Sequence, residues 1–282
     1  MLGFFALALA LRASGSGGQD TSDATATAAD ILAGKTAYVA SGLVEGTYTN
    51  KLGQIINRTI TEMTADDWDT ATMVGSYIFD ECTNLRRVRL PTRSNFTRIG
   101  QYAFRKTGNT TNHTGVDIVI PNNITTVELN AFQSMRYCTE ILIPDSVTKI
   151  GYTLFSSSTE LVTVRLPRLD NHSTTGLHPE NTISSAGQIL PALQNITLGA
   201  AVSSIPSLFL QKAGTAKYPA LKNLYLERTA SMVSLADADV FNGISGKVTV
   251  HVPSALLSSY SAGTNWATCV SNNKIQFSAV SS

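Results

Sequence analysis

Short strings of alternating apolar and polar residues recur along the chain. LRRVRLP, residues 85–91, returns as LVTVRLP, residues 161–167, with Leu, Val, Arg, Leu and Pro unchanged. Counted back from the closing proline, positions −1, −3 and −6 are apolar in both strings. Five more stretches keep most of this pattern, which makes seven units. The seven units are anchored at Pro91, Pro121, Pro144, Pro167, Gly199, Glu227 and Pro253.

The pattern predicts one short strand in each unit. Positions −3 and −1 have a period of two, so they point to the same side of a strand. The proline ends the strand because it has no backbone N–H to donate. Two of the anchor spacings are 23 residues, and a unit of that length cannot bury its apolar side alone. Successive units bury their apolar sides by stacking their strands about 4.8 Å apart.

Two further columns follow the same period. A phenylalanine lies twelve residues before the anchor in four units, at Phe79, Phe132, Phe155 and Phe241. In two other units the gap is five or six residues longer, and the extra residues are small or turn-forming, as expected of loop insertions. Apolar residues recur at +3 and +6, where the chain turns back. The members of that column are Ile124, Val127, Val147, Ile150, Val202 and Ile205.

The unit is similar to the BspA-type leucine-rich repeat. The match is clearest in VELNAFQSMRYCTEILIPDSVTKIG, residues 127–151, and in IGYTLFSSSTELVTVRLP, residues 150–167. The resemblance extends over roughly residues 60–280. It implies an α/β solenoid in which about seven short parallel strands stack in one sheet, with a cap at each end and a small hairpin-like module in front.

The domain boundaries follow from these patterns. Trp68, among acidic and threonine residues, predicts a degenerate first turn and cap, whereas Leu256, Leu257, Tyr260, Trp266 and Cys269 predict an amphipathic helix over the last strand. The predicted segments are an apolar peptide and Gly/Ser linker at 1–22, a small attachment module at 23–50, an N-terminal cap at 51–76, leucine-rich repeats at 77–253 and a C-terminal cap at 254–282.

The segment before the repeats bears on where the protein is attached more than on any catalytic activity. The apolar run at residues 2–11 is shorter than the roughly twenty residues of a membrane span. A signal peptide and a docking or oligomerisation peptide both remain open. GKTAYVASGLVEGTY, residues 34–48, predicts a hairpin with its turn at Ser41-Gly42. Residues 23–50 resemble a module of bacteriophage tail and other virion proteins, which implies attachment to a particle.

No catalytic or metal-binding pattern stands out. The formal net charge is +1, so no overall field favours nucleic acid. The cysteines, Cys82, Cys138 and Cys269, are too far apart for a CxxC motif, and we expect them to be buried and inert. His172 and His178 share the inserted loop 168–188 with Asp170 and Glu180, a spacing atypical of metal ligands. We therefore predict no enzyme, no cofactor and no metal.

Positions −4 and −2 of each unit point away from the core, and we predict that they form a binding face. The face mixes arginine, aromatic, aliphatic and amide side chains, as interfaces do. An acidic glycan or anionic partner also suits the arginines around the first two units, although a solvated edge fits them equally. The predicted face consists of Arg87, Arg89, Asp117, Val119, Glu140, Leu142, Thr163, Arg165, Asn195, Thr197, Asn223, Tyr225, Thr249 and His251.

Two functions compete at this point. The first is a phage virion protein of the tail or fibre type, held to other virion proteins by its N-terminal region and binding a host-surface protein or glycan. The alternative is a bacterial cell-surface adhesin of the BspA type. Both hypotheses predict that the protein has no nucleic-acid partner and no membrane-spanning segment. Neither decides whether it forms a homo-oligomer. They differ in location, in the virion or on the cell surface.

Overall fold

The computed structural model describes residues 36–39, 42–45, 51–68, 70–108, 112–169, 179–185, 188–212 and 215–281. The chain divides after Ile60 into two units. In the first unit, β1 (Thr36–Val39) pairs with β2 (Gly42–Glu45) in an antiparallel hairpin, which confirms the predicted hairpin. Helix α1 (Lys51–Ile56) follows. The predicted peptide 1–22 and residues 46–50 lie outside the described residues.

The second unit consists of short strands joined by turns, with helices near its end. Its helices are α2 (Leu257–Ala262) and α3 (Thr264–Ser271), with 3-10 turns at Ala65–Trp68, Pro179–Asn181, Ala238–Phe241 and Ser254–Leu256. Its strands are β3 (Glu62–Met63), β4 (Met73–Val74), β5 (Arg87–Arg89), β6 (Arg98–Ile99), β7 (Asp117–Val119), β8 (Thr126–Val127), β9 (Glu140–Leu142), β10 (Lys149–Ile150), β11 (Thr163–Leu166), β12 (Asn195–Leu198), β13 (Ser204–Ile205), β14 (Gln211–Lys212), β15 (Thr215–Ala216), β16 (Asn223–Leu226), β17 (Ser234–Leu235), β18 (Val248–Pro253) and β19 (Ile275–Val280).

The fold is a leucine-rich-repeat α/β solenoid, as predicted. Each of the seven predicted strands is present, at β5, β7, β9, β11, β12, β16 and β18. Their pairing is parallel and in repeat register, so Thr163 lies opposite Asn195 and Asn195 opposite Asn223. Inward residues such as Val88 and Val164 are fully buried, and their neighbours face outward. We call the strands in this row, together with β3 and β19, the front strands.

The front strands form two sheets instead of the predicted single sheet. One has the order β3-β5-β7 and the other β19-β18-β16-β12-β11-β9, and among the described residues no strand pairing joins β7 to β9. The irregularity begins before β7, in the insertion that ends at Gly115. A Cβ on Gly115 would overlap the backbone of Tyr137 and Cys138, so the chain is held against the next repeat there. Beyond that contact the two strands do not pair.

A second row of strands and an aromatic stack hold the repeats together behind the front strands. β4, β6, β8 and β10 form a continuous parallel sheet. The rings of Phe79, Phe104, Phe132 and Phe155 are stacked with centroid distances of 5.2, 5.7 and 5.7 Å. All four are buried, which agrees with the phenylalanine column predicted from the sequence. The repeats before and after the gap between β7 and β9 are therefore joined at the back.

The two ends of the repeats differ in detail from the prediction. Trp68 is buried against Phe79 and Phe96, and its indole N–H donates to the Arg89 carbonyl at 2.8 Å. At the other end Tyr260 and Trp266 are buried, and both bond the backbone of Val233. The predicted helix is two short helices, and they are followed by β19, which pairs in parallel with β18. The sequence pattern missed β19 because it lacks the repeat's proline and phenylalanine.

Candidate binding face

The predicted binding face is a continuous set of accessible side chains. None of the fourteen residues named from the −4 and −2 positions is buried. Within each of the two sheets of front strands the registers align them in two columns, and β3 and β19 extend the columns with Glu62, Gln276 and Ser278. We call this surface the strand face. Its chemistry changes along its length, from charged to apolar to amide and aromatic.

The charged part of the strand face is internally neutralised. Arg89 donates to the Asp117 carboxylate at 2.5 Å, and Arg87 lies between Glu62 and Asp117 at 3.6 and 3.8 Å. The hydrogen bond from Arg89 holds the pKa of Asp117 below its ordinary value. These side chains are about half exposed, so the pairs contribute little to stability and mainly fix each other's geometry.

The arginines near the first repeats do not form a free basic patch. Arg93 donates to the carbonyls of Ala71 and Trp68, and Arg98 pairs with Glu128. Arg105 binds Asp80 through two hydrogen bonds of 2.7 and 2.6 Å. The acidic partners are spread through the sequence, so a count of arginines did not reveal them. Because these arginines already bind carbonyl and carboxylate groups of the protein, less of their charge is left for an acidic ligand.

A cleft opens in the strand face where β7 and β9 fail to pair. It has a volume of about 580 Å³ and is lined by residues 115–120 on one side and by residues 137–140 and 142–144 on the other, with Arg165 at its margin. Val119 and Leu142 flank its mouth and are 57% and 48% exposed. They are the large apolar side chains that the strand face leaves most open.

Two residues of opposite charge lie at the cleft: Arg165 is held by several partners, whereas the carboxylate of Glu140 is not. Arg165 is fixed by Asp145 at 2.7 Å, by Glu227 at 2.6 Å and by the carbonyl of Ile143 at 2.8 Å. The Glu140 carboxylate is exposed, and no described residue forms an ion pair or hydrogen bond with it. The Glu140 carboxylate is therefore available to a ligand.

Beyond the cleft, amide and hydroxyl groups form a ladder across the strands. Asn223 donates to the side-chain oxygen of Asn195 at 2.8 Å, and Asn195 donates to the Thr163 hydroxyl at 3.1 Å. The next column ends in Tyr225 and His251, whose rings stack at 4.2 Å and 7°. Partial burial lowers the pKa of His251, so the ring favours its neutral form. This region offers polar contacts without net charge.

Among the described residues, the remaining groups with potential chemistry do not assemble into a site. His172, His178 and Asp170 lie outside the described residues, and Glu180 uses its backbone carbonyl to accept from Lys217. No group of three or more histidine, cysteine or acidic side chains among the described residues is placed to hold a metal ion. Burial raises the pKa of both Cys138 and Cys269 to about 11, which agrees with the prediction of inert thiols.

Comparison with known families now identifies the repeats. Residues 57–176 match the BspA type leucine-rich repeat region, in six copies. Among curated proteins, no sequence matches the chain. The family match starts after the segment that resembles a virion module, so it lends that resemblance no support.

Three solved structures are similar to this chain. The pneumococcal vaccine antigen PcpA shares 17% identity with a TM-score of 0.42, over 79% of this chain and 45% of that one, so this chain spans less than half of PcpA. A leucine-rich repeat protein from Bacteroides ovatus shares 16% identity with a TM-score of 0.32, over 88% and 68% of the two chains. A leucine-rich cell surface protein from Faecalibacterium prausnitzii shares 16% with a TM-score of 0.22, over 89% and 88%.

In the part of the chain that the structure describes, every helix is too short or too polar to cross a bilayer.

Proposed function

We propose that this protein is a non-enzymatic adhesion protein of the bacterial cell surface, and that it binds a partner protein or glycan through its strand face. The observation that carries the proposal is the strand face itself. Two outward columns run along the front strands, all accessible, and they change from charged through apolar to amide and aromatic character. Solenoids commonly use such extended surfaces for binding.

The composition of the face supports binding better than catalysis. The polar side chains are tied to one another, as in the ladder from Thr163 to Asn223, and this fixes them before a partner arrives. Preorganised side chains lose less conformational entropy on binding. The BspA-type repeats and the word "surface" in the name of the Faecalibacterium protein favour the cell-surface location over the virion.

The virion hypothesis remains the second candidate because of the resemblance of residues 23–50. One experiment separates the two locations: peptide mass spectrometry on the cell-envelope fraction and on purified phage particles from the same culture. Abundant peptides in the envelope and none in particles support the adhesin. Stoichiometric peptides in particles, with none in the envelope, overturn it.

Binding by the strand face is tested with paired variants of the full chain. Tyr225→Ala and Asn195→Ala change the face, whereas Ser157→Ala changes an exposed residue that is not part of the strand face. All are applied to an immobilised panel of glycans and extracellular proteins. We expect retention on at least one member of the panel to fall about tenfold for the face variants and to be unchanged for Ser157→Ala. Equal retention by all three variants would contradict a role for this face.

A further inference from the structure

Among the described residues, the cleft between β7 and β9 is the place where two neighbouring front strands do not pair. We propose that it binds an extended segment of the partner protein as an additional parallel strand, with a basic side chain beside Glu140 and an apolar side chain between Val119 and Leu142. This inference rests on the proposed function, because it names the kind of partner that the strand face takes. Three features of the cleft select this occupant.

The first feature is unpaired backbone on both walls. Elsewhere in the row, the amide at −4 donates to the carbonyl at −5 of the preceding strand, as Asn195 does to Val162 at 3.0 Å. The corresponding groups here are the Glu140 amide and the Val116 carbonyl. No backbone hydrogen bond joins these strands in the described part of the chain. Two strand edges that face one opening favour an extended peptide, because its amides and carbonyls alternate between the walls.

The second feature is the order of side chains on either side of the gap. Position −4 is acidic on both walls, with Asp117 on β7 and Glu140 on β9. Position −2 is apolar on both, with Val119 and Leu142. Asp117 is already paired with Arg89, but Glu140 has no partner among the described residues. An inserted strand with arginine or lysine at −4 and an aliphatic residue at −2 would match both neighbours in each column.

The third feature is that the structure behind the cleft joins its two walls. β8 pairs with β10 across the same repeats, and Phe104 stacks on Phe132 at 5.7 Å. At the base, Gly115 lies against the backbone of Tyr137. A volume of about 580 Å³ is within the range of about 300–1,000 Å³ that ligand pockets occupy. The two walls are therefore connected at the back and at the base of the cleft.

A peptide copied from the protein's own repeat tests the proposal. The probe is a fluorescein-labelled peptide with the sequence of residues 83–93, TNLRRVRLPTR, carrying the change Arg89→Val so that −4 is basic and −2 is aliphatic. Fluorescence anisotropy measures its binding to the full chain. We expect saturable binding that weakens at least tenfold when positions 87 and 89 of the peptide are N-methylated, because methylation removes two backbone donors.

Matched variants of the protein locate the bound peptide. The pair Val119→Asp and Leu142→Asp changes the mouth of the cleft, and Thr197→Asp places the same charge at −2 of β12, which is paired on both sides. We expect at least a tenfold loss of affinity for the cleft pair and no change for Thr197→Asp. The peptide change Arg87→Glu should also lose about tenfold, and Glu140→Lys in the protein should restore it, because a tenfold change corresponds to about 1.4 kcal/mol for one charge pair.

Three results would overturn the proposal. They are the absence of binding up to about 1 mM peptide, equal binding by the N-methylated peptide, and equal loss in the cleft pair and Thr197→Asp. Failure of the proposed function is a separate outcome. A chain that takes the peptide in its cleft but retains nothing from the glycan and protein panel refutes the adhesin reading alone. A chain that binds a panel member and rejects the peptide refutes the strand insertion alone.

Discussion

Replacing Phe132 tests how the solenoid stays intact beside the cleft. Phe132 is fully buried, and its ring stacks on Phe104 and Phe155 at 5.7 Å each. Phe→Ala in a core costs about 3–5 kcal/mol, of which each aromatic pair accounts for about 0.5–1.5 kcal/mol. We therefore expect Phe132→Ala to lower the free energy of unfolding by about 4 kcal/mol. Phe132→Leu keeps much of the volume and should cost about 1–2 kcal/mol.

The assay is urea unfolding followed by fluorescence, because the two tryptophans report on opposite sides of the cleft. Trp68 packs before it and Trp266 after it. The variants Trp68→Phe and Trp266→Phe separate the two signals. In the parent chain we expect the two tryptophans to report the same unfolding transition. In Phe132→Ala we expect the transitions to separate, because the front strands form no backbone bonds across the cleft and the remaining interface between the repeats becomes weak.

The control is Val119→Ala, which removes an exposed side chain from the same region and should change stability by less than about 0.5 kcal/mol. The reasoning fails if Phe132→Ala costs less than about 1 kcal/mol, because the stack would then contribute nothing beyond ordinary contacts. It fails equally if the leucine and alanine variants lose the same stability. Transitions that still coincide in Phe132→Ala would show that another element couples the two halves.

Other predictions follow from hydrogen bonding and burial. The amide of Glu140 should exchange with deuterium at least about tenfold faster than that of Asn195, measured by NMR, because only the latter bonds the preceding strand; equal protection would show that the cleft closes in solution. Cys138 should resist iodoacetamide at pH 8 until the protein is denatured, because burial raises its pKa to about 11 and keeps the thiol protonated. The pKa of Asp117, followed by NMR titration, should lie below its ordinary value and return towards it in Arg89→Ala. The stability that this pair contributes is present above the ordinary pKa of an aspartate and is lost as the pH falls through the depressed value. If the free energies of unfolding of the parent chain and of Asp117→Asn differ by the same amount at all pH values, the pairing is contradicted.

The repeating pattern was enough to predict the fold because its constraints are local and are imposed in every unit. Leu85, Cys138 and Leu161 occupy one inward column and are all buried, as their shared position predicts. The strand face followed from the same alternation, since residues two apart on a strand point the same way. A sequence with this period has few ways to bury its apolar columns other than stacking.

Features that depend on how neighbouring repeats meet could not be read from one repeat at a time. The cleft follows an insertion that returns through Gly115, and the close contact of Gly115 with Tyr137 of the next repeat could not be read from either repeat alone. One signal was present in the sequence: Gly115 occupies the −6 column, where most units have a larger apolar residue. The pairing of Arg105 with Asp80, 25 residues apart, was similarly hidden, because charge partners in a solenoid are separated by a whole repeat.

The position of the cleft also couples binding to stability. In a solenoid each repeat is stabilised chiefly by its neighbours, so the junction between β7 and β9, with no pairing in front, is expected to be the weakest internal junction of this row. A strand inserted there would supply backbone bonds to both walls at once. A ligand that binds only the folded chain stabilises it by an amount that rises with its concentration relative to Kd. A partner held in the cleft would thus join the two halves of the strand face and make the charged and amide regions a single rigid surface.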